Sequence, residues 1–237
     1  MNNELLLIIN MVVLYSGILI WYKLLGPQGL FGWTVFATIA ANIEVLILID
    51  GFGIEQTLGN IMFATTFIVT DILSETEGKK MAKKAVNIGI ATSLTFIIVT
   101  QIWLAYTPSK NDWAFDSIHT IFSNTPRLMA VSLIVYVIAQ KFDVWCFHTV
   151  WAFTTRLYGD RTKYLWIRNN ASTLISQLLN TVLYTFGAFW GIYSIDILIN
   201  IAISSYIIFI ITSLADTPVI YAARAIHRKK KMSQELQ

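Results

Sequence analysis

The sequence contains few charged residues and a single cysteine. Charged side chains make up 13% of its 237 residues, and the cysteine is Cys146. An ordinary globular domain carries about 25% charged residues, so this composition excludes a typical soluble domain. One cysteine cannot form an internal disulfide, and no metal-ligand spacing surrounds it. Cys146 is therefore interpreted as a small buried hydrophobic residue.

Sequence patterns of catalysis are also missing. No glycine-rich phosphate-binding loop is present, which excludes ATP hydrolysis by that route. His119, His148 and His227 are scattered and do not form a zinc-binding HExxH pair. The last hydrophobic segment lacks a lysine for a retinal Schiff base, and the paired-aspartate motifs of intramembrane proteases are absent. We predict no catalytic residue, no metal site and no cofactor.

What the chain has in abundance is hydrophobic sequence. Hydrophobic residues make up 56% of it, and the mean hydropathy is +0.61. They are concentrated in runs of about 20 residues, each long enough to cross a hydrocarbon core roughly 30 Å thick as a helix. Seven segments emerge: 5–25, 30–49, 58–73, 85–106, 128–151, 171–190 and 195–223. The third is short and is expected to borrow residues from the turn at 51–57.

Glycines and prolines separate these segments. The breaks fall at Gly26-Pro27, Gly51-Phe52-Gly53, Gly78, Pro108, Pro126, Gly159 and Gly191. No linker is long enough for a soluble domain. The N-terminus lacks the features of a cleaved signal peptide, so the first segment is expected to be a retained helix. The prediction is an all-α, polytopic transmembrane bundle of six to seven spans, forming one integral membrane domain over residues 1–237.

The lysines and arginines predict an orientation. With seven spans, nearly all of them fall on one side of the membrane, including the four lysines between residues 79 and 84 and the tail from Arg224 to Lys231. The opposite side keeps only Lys110 and Arg127. Positive loops face the cytoplasm, so the N-terminus is expected outside and the C-terminus inside. The tail is expected to do no more than bind anionic lipid headgroups.

The segment 71–84 joins two hydrophobic runs. It holds Asp71 and Glu75 before Gly78 and four lysines after it. We expect it to be a loop at the membrane interface, with the two acids one helical turn apart at the mouth of the protein.

Polar residues inside the hydrophobic segments are the candidate site. Ionisable groups in a bilayer are costly unless they are paired or face water, so they usually mark function. Gln140 and Asp143 lie three residues apart, as do Gln177 and Asn180, and each pair shares one helix face. Asp216-Thr217-Pro218 is expected to interrupt the last span and free backbone carbonyls. The predicted substrate-binding residues are Asn42, Asp71, Glu75, Gln140, Asp143, Gln177, Asn180 and Asp216.

Amides and carboxyls of this kind suit the edge of a flat heterocycle, and neighbouring aromatic rings could hold its face. Hydrogen bonds that merely join the helices are the alternative explanation.

Several motifs together resemble a known family. They are Thr70 to Glu75 with Gly78-Lys79-Lys80, Pro126-Arg127, Gln140 with Phe142-Asp143-Val144 and Phe147-His148, Trp166 to Gln177, and Asp216-Thr217-Pro218. In this order and spacing, over residues 42–221, the chain resembles the queuosine-precursor transporters, a vitamin-uptake-transporter-like group. The resemblance implies import of a 7-deazapurine across the plasma (cell inner) membrane for queuosine modification of tRNA. The implied substrates are 7-cyano- and 7-aminomethyl-7-deazaguanine and, in some members, queuine. The partners are then this small molecule and the lipid bilayer, without nucleic acid, and a homo-oligomer is left open.

The chain departs from the family pattern at two positions. Most members carry Asp where this chain has Asn180, and a Lys near Phe209 in the last span. Loss of both would be consistent with deletion of a buried ion pair. Our hypothesis from the sequence is an altered pocket that prefers the bulkier queuine.

Two other functions stay open at this point. One is a substrate-binding subunit of an energy-coupling-factor vitamin importer, for which the sequence shows no clear docking signature. The other is a membrane-embedded enzyme or accessory protein, which is disfavoured because no nucleophile–base set can be assembled. The sequence does not decide between proton-coupled and facilitated transport.

Overall fold

A computed structural model describes residues 2–123 and 126–235, and within them the chain is a bundle of helices. Its elements in chain order are α1 (Asn3–Leu25), α2 (Pro27–Glu44), β1 (Leu48–Gly51), β2 (Ile54–Thr57), α3 (Gly59–Thr76), α4 (Lys79–Leu104), α5 (Phe115–Ser123), α6 (Pro126–Tyr158), α7 (Leu165–Phe189) and α8 (Ile195–Glu235). Each of the seven predicted segments coincides with most of one long helix. The all-α prediction is therefore confirmed.

The predicted breaks lie between the elements. Gly26 ends α1 with φ of 63°, and its N–H donates to the carbonyl of Tyr22 at 2.9 Å. Pro27 then begins α2, where its fixed φ suits a first helical turn. Gly78 separates α3 from α4 with φ of 85°, a conformation that side chains with a Cβ rarely adopt. These short turns make consecutive helices antiparallel neighbours.

Two elements were not predicted. Residues 48–57 form an antiparallel hairpin in which Gly51 pairs with Ile54. Segment 30–49 therefore ends as a helix at Glu44, and residues 54–57 are a strand that cannot lengthen α3. At the turn, Phe52 and Gly53 both have positive φ, as a two-residue hairpin turn requires. The second element, α5, is a short helix between α4 and α6.

Within residues 2–123 and 126–235, four helices are long and apolar enough to cross a membrane by themselves. They are Asn3–Leu25, Lys79–Leu104, Arg127–Tyr158 and Ile195–Ser233. The helices α2, α3 and α7 carry too many polar residues to join this group. Most of α3 and about half of α7 are buried, so their polar faces are shielded from lipid by the helices around them. The prediction of six to seven spans, with the N-terminus outside, stays a prediction.

The long helix α8 continues through Pro218. The expected interruption at this proline is therefore wrong, because helical hydrogen bonds resume on both sides of it. Proline still lacks an N–H, so the carbonyl four residues earlier, at Leu214, loses its usual intrahelical donor. The position is a local weak point in an otherwise regular helix.

Candidate functional site

A cavity lies at one end of the bundle, between six helices. Its walls come from the last turns of α2 and α7 and the first turns of α3, α6 and α8, with one residue from α4. Its volume is about 80 Å³, room for several water molecules. The lining residues are Thr38, Ala41, Asn42, Val45, Thr57, Gly59, Asn60, Phe63, Thr66, Ser93, Ser132, Val135, Tyr136, Asn180, Thr181, Tyr184, Thr185, Phe189, Ile201, Ser205 and Phe209.

Polar atoms in the cavity wall lack partners. Among the described residues, the hydroxyls of Thr57 and Thr181 and the amide nitrogen of Asn60 are buried and make no hydrogen bond within the protein. A buried polar group without a partner costs about 1–3 kcal/mol, so such groups are normally satisfied by water or a ligand. The wall is thus suited to hydrogen-bond a polar molecule.

Aromatic rings form the other part of the wall. The rings of Phe63 and Tyr136 lie edge to face with centroids 6.1 Å apart, and Phe63 and Phe209 are 6.4 Å apart. The Tyr136 hydroxyl packs directly on Gly89 of α4, where a Cβ would collide with it. Flat rings beside amides and hydroxyls are the surface that a planar heterocycle requires.

Two glutamines lie behind this wall. Gln140 of α6 donates to the Thr66 hydroxyl at 2.6 Å, and its oxygen accepts from Thr70 at 3.4 Å. Gln177 of α7 accepts from the Asn180 amide at 3.3 Å, while its own amide nitrogen is buried and has no hydrogen-bond partner in the part of the chain that the structure describes. The two glutamines therefore lie between the cavity and the polar residues deeper in the bundle.

Deeper in the bundle is a group of three buried aspartates, which we name the carboxyl cluster: Asp71, Asp143 and Asp216. Their exposed fractions are 0%, 0% and 2%. Asp71 accepts from the Thr173 hydroxyl at 3.0 Å, and Asp216 accepts from the Asn169 amide at 2.7 Å. Asp143 of α6 lies beside Asp71 and the Ser176 hydroxyl. The three aspartates come from α3, α6 and α8, so the cluster joins three helices.

The far end of the bundle holds an ion-pair cluster made of Glu75, Arg168 and Arg224. Arg168 contacts one carboxylate oxygen of Glu75 at 2.5 Å, and Arg224 contacts the other at 3.3 Å. The Arg168 side chain is completely buried and stacks over the Trp151 ring at 4.4 Å. It also donates to the Lys163 carbonyl at 2.8 Å. This cluster ties the ends of α3, α6, α7 and α8 together.

The three groups lie in order along the bundle axis. On α3 the order is Thr66 in the cavity wall, then Asp71, then Glu75; at 1.5 Å per residue the two steps are about 7.5 and 6 Å. On α8 the same order is Phe209, Asp216 and Arg224. The basic residues that predict the cytoplasmic side lie at the ion-pair end, and the cavity is at the opposite end.

The structure separates the eight predicted site residues into these layers. Asn42 and Asn180 line the cavity, together with Phe209. Gln140 and Gln177 lie behind it, and the three aspartates form the carboxyl cluster. Glu75 lies at the far end with both oxygens occupied by arginines. The eight residues are therefore not one pocket. Their role in substrate binding stays a prediction.

One expectation about these acids is wrong. Asp71 does not lie at the mouth of an interface loop, because α3 continues to Thr76 and buries Asp71 in the bundle. The loop shrinks to Glu77 and Gly78. The error came from treating a polar stretch between two apolar runs as exposed, although a helix shielded by its neighbours can carry such residues inward.

Residues outside the predicted set complete the site. Arg168 and Arg224 pair with Glu75, whereas the sequence analysis counted both as charges on the cytoplasmic side and Arg168 also as part of the motif Trp166 to Gln177. Asn169 holds Asp216, and Thr66 and Tyr136 form cavity wall. A signal for Arg168 did exist, since it directly precedes the polar stripe on α7, but its acidic partner is 93 residues away. Among the described residues, no group of three His, Cys, Asp or Glu side chains is placed to hold a metal ion.

Comparison with known proteins gives the family. A family model described as "Putative vitamin uptake transporter" matches residues 57–223. The chain belongs to this transporter family. It is 39% identical over 207 residues to a Bacillus subtilis (strain 168) protein named "Probable queuosine precursor transporter", covering 87% of this chain and 88% of that protein. No solved structure matches the chain.

Family membership and the apolar helices make the chain a multi-pass plasma-membrane protein of a transporter family. The resemblance found in the motifs is confirmed. The match covers α3 to most of α8, so it includes the carboxyl and ion-pair clusters and most of the cavity wall. Only the part of the wall supplied by α2 lies outside it.

Proposed function

We propose that the chain imports queuosine precursors, taking up a 7-deazaguanine base into the cavity at the outer end of the bundle, which widens from its present volume of about 80 Å³ to admit the base. The observation that carries this proposal is the cavity wall, in which unpartnered buried hydroxyl and amide groups stand beside aromatic rings. The amides of Asn42, Asn60 and Asn180 each offer donor and acceptor atoms, as the edge of a guanine-like base requires. The name of the Bacillus subtilis relative supports the same substrate class.

The layers suggest how the substrate would move. In this proposal the chain has seven spans, and the ion-pair cluster closes the cytoplasmic end while the base binds at the outer end. Import then requires the cavity to close outside and the Glu75 pairs to separate inside, as in alternating access. The carboxyl cluster lies between these two events, because Asp71, Asp143 and Asp216 sit on the same helices as both ends. We propose that it couples them.

Uptake in cells tests the proposal. The host would lack both queuosine-precursor synthesis and its own importer, and would express this chain. Labelled 7-cyano-7-deazaguanine, 7-aminomethyl-7-deazaguanine and queuine would be supplied separately, with queuosine in tRNA and cell-associated label as the two readouts. We expect at least one base to be taken up. Absence of label uptake for all three, with the protein present in the membrane, would refute the proposed function.

The role of the carboxyl cluster has its own test. Asp143→Asn keeps the size of the side chain and removes its ionisable group. If the cluster couples the two ends, this variant should bind substrate within about threefold of wild type but lose at least about tenfold in uptake. Asp196→Asn, at an exposed position of α8, is the matched control and should transport normally. Equal losses of binding and uptake in Asp143→Asn would instead place Asp143 in the binding site.

A further inference from the structure

The cavity wall has a property that distinguishes between the candidate substrates: its lining side chains are polar but uncharged. Among the described lining residues there is no Asp, Glu, Lys, Arg or His. Hydrogen-bonding capacity is supplied by three asparagine amides, by serine and threonine hydroxyls, and by the phenols of Tyr136 and Tyr184.

The nearest acids lie outside the wall. Asp71 and Asp143 are behind Thr66 and Gln140, in the carboxyl cluster. Glu44 is the last residue of α2 and follows Asn42 by two positions, so its side chain is on a different face of that helix. Arg168 and Arg224 are at the opposite end, bound to Glu75, and Arg127 at the cavity end donates to the backbone carbonyls of Gly187 and Trp190 and does not line the cavity. Among the described lining residues, a ligand in the cavity therefore meets hydrogen-bonding groups and aromatic rings, and no counter-ion.

Burying a charged group without a counter-ion is strongly unfavourable, whereas a neutral polar group needs only hydrogen bonds. The queuosine precursors differ in this respect. The 7-aminomethyl base carries a primary amine and queuine a secondary amine, both protonated at neutral pH, as a lysine side chain is. The 7-cyano base carries a neutral nitrile, which is a hydrogen-bond acceptor.

We propose that the cavity selects the uncharged, nitrile-bearing base over the amine-bearing bases, and that Asn180 is a specificity-determining residue for this choice. This inference rests on the proposed function. It differs from the preference for queuine suggested by the sequence, because the structure places both Asn180 and Phe209 in a wall that offers nothing to neutralise queuine's amine. Asn180 lines the cavity from α7, so a carboxylate at this position would add a negative charge to the wall.

The test compares the bases in a binding assay on the purified full-length protein and in cellular uptake. We expect the 7-cyano base to bind at least about tenfold more tightly than the 7-aminomethyl base or queuine, since one uncompensated charge exceeds the 1.4 kcal/mol that a tenfold ratio represents. Asn180→Asp introduces a carboxylate of nearly the same shape. It should shift the amine-to-nitrile ratio by about tenfold or more toward the amine.

Asn200→Asp is the matched control, because it makes the same chemical change at an exposed position of α8 near the cavity end. It should leave the ratio unchanged. Ser205→Asp, on the facing α8 wall, repeats the experiment if Asn180→Asp does not fold, and should shift the ratio in the same direction.

The outcomes separate the two proposals. A wild-type preference for either amine overturns the selectivity inference and leaves the transporter function standing. Folded Asn180→Asp and Ser205→Asp proteins with an unchanged ratio also overturn it, because the ligand would then not contact this wall. Failure to bind or import any of the three bases removes the proposed function itself.

Discussion

Replacing Glu75 by glutamine tests the ion-pair cluster directly. The carboxylate of Glu75 neutralises a completely buried arginine, Arg168, and a largely buried one, Arg224. Glutamine is nearly the same size but carries no charge, so both guanidinium groups would lose their counter-ion. Removing one member of a buried pair destabilises by about 3–5 kcal/mol, because the remaining charge stays buried and uncompensated. At about 2–4 °C per kcal/mol for a chain of this length, the unfolding temperature should fall by about 6–20 °C.

The same contacts predict how strongly each single substitution destabilises the protein. Arg168→Met leaves Glu75 with Arg224, so it should be less destabilising than Glu75→Gln. Arg224→Met should be the mildest, since the arginine is 14% exposed and Glu75 keeps its shorter contact to Arg168. Lys163→Met is the control: it breaks an exposed pair with Asp160, and exposed pairs contribute at most about 1 kcal/mol.

The measurement is thermal unfolding of the purified variants in one detergent, completed as a double-mutant cycle. The double variant carrying Glu75→Gln and Arg168→Met should lose less unfolding free energy than the sum of the losses of the two single variants, with a coupling of at least about 2 kcal/mol. If the cluster is an inner gate, uptake by the folded double variant should still be impaired. A Glu75→Gln protein that unfolds within about 3 °C of wild type, or additive single effects, would refute the argument.

Two further predictions concern the cavity and the orientation. Gly89→Ala places a methyl group where the Tyr136 hydroxyl lies, so it should destabilise the protein by about 1–3 kcal/mol and weaken substrate binding. Adding Tyr136→Phe to the Gly89→Ala protein should recover part of the stability. Thermal unfolding measures the stability, and a binding assay measures the affinity. In a Cys146→Ala background, a membrane-impermeant thiol reagent should label Ser109→Cys in intact cells but Ser233→Cys only after lysis, and the reverse pattern would contradict the orientation.

The helices were predictable from the sequence because hydrophobic runs and glycine or proline breaks are local signals. Segment 5–25 and helix α1, Asn3–Leu25, agree within two residues at the start. The hairpin at 48–57 was missed because its strands are only four residues long and the first begins with Leu48 and Ile49, which continue the apolar run of α2. Helix α5 was missed because nine residues give too little periodicity against a polar loop.

The sequence predicted which residues belong to the interior of the bundle, but not how they are arranged in space. Polar residues in apolar segments correctly marked the interior, and Asp143 and Asp216 are indeed buried together. What the sequence could not give is which partner each group meets. Glu75 finds Arg168 across 93 positions, and the cavity wall is assembled from six helices, so both depend on packing that no local pattern encodes.

The position of Pro218 suggests where α8 bends when the protein changes conformation. It lies on α8 between Asp216 of the carboxyl cluster and Arg224 of the ion-pair cluster, and the carbonyl of Leu214 has no N–H to accept from at that point. Bends in long helices concentrate at such positions. A bend there would move Arg224 relative to Glu75 while the cavity-lining part of α8, around Phe209, stays against α3 and α7. The ion-pair end could then open while the cavity wall keeps its arrangement, and alternating access requires the two ends to open in turn. Asp216 lies two residues before the proline and accepts a hydrogen bond from Asn169 of α7, so a bend at Pro218 would also strain this contact in the carboxyl cluster, as the proposed coupling requires.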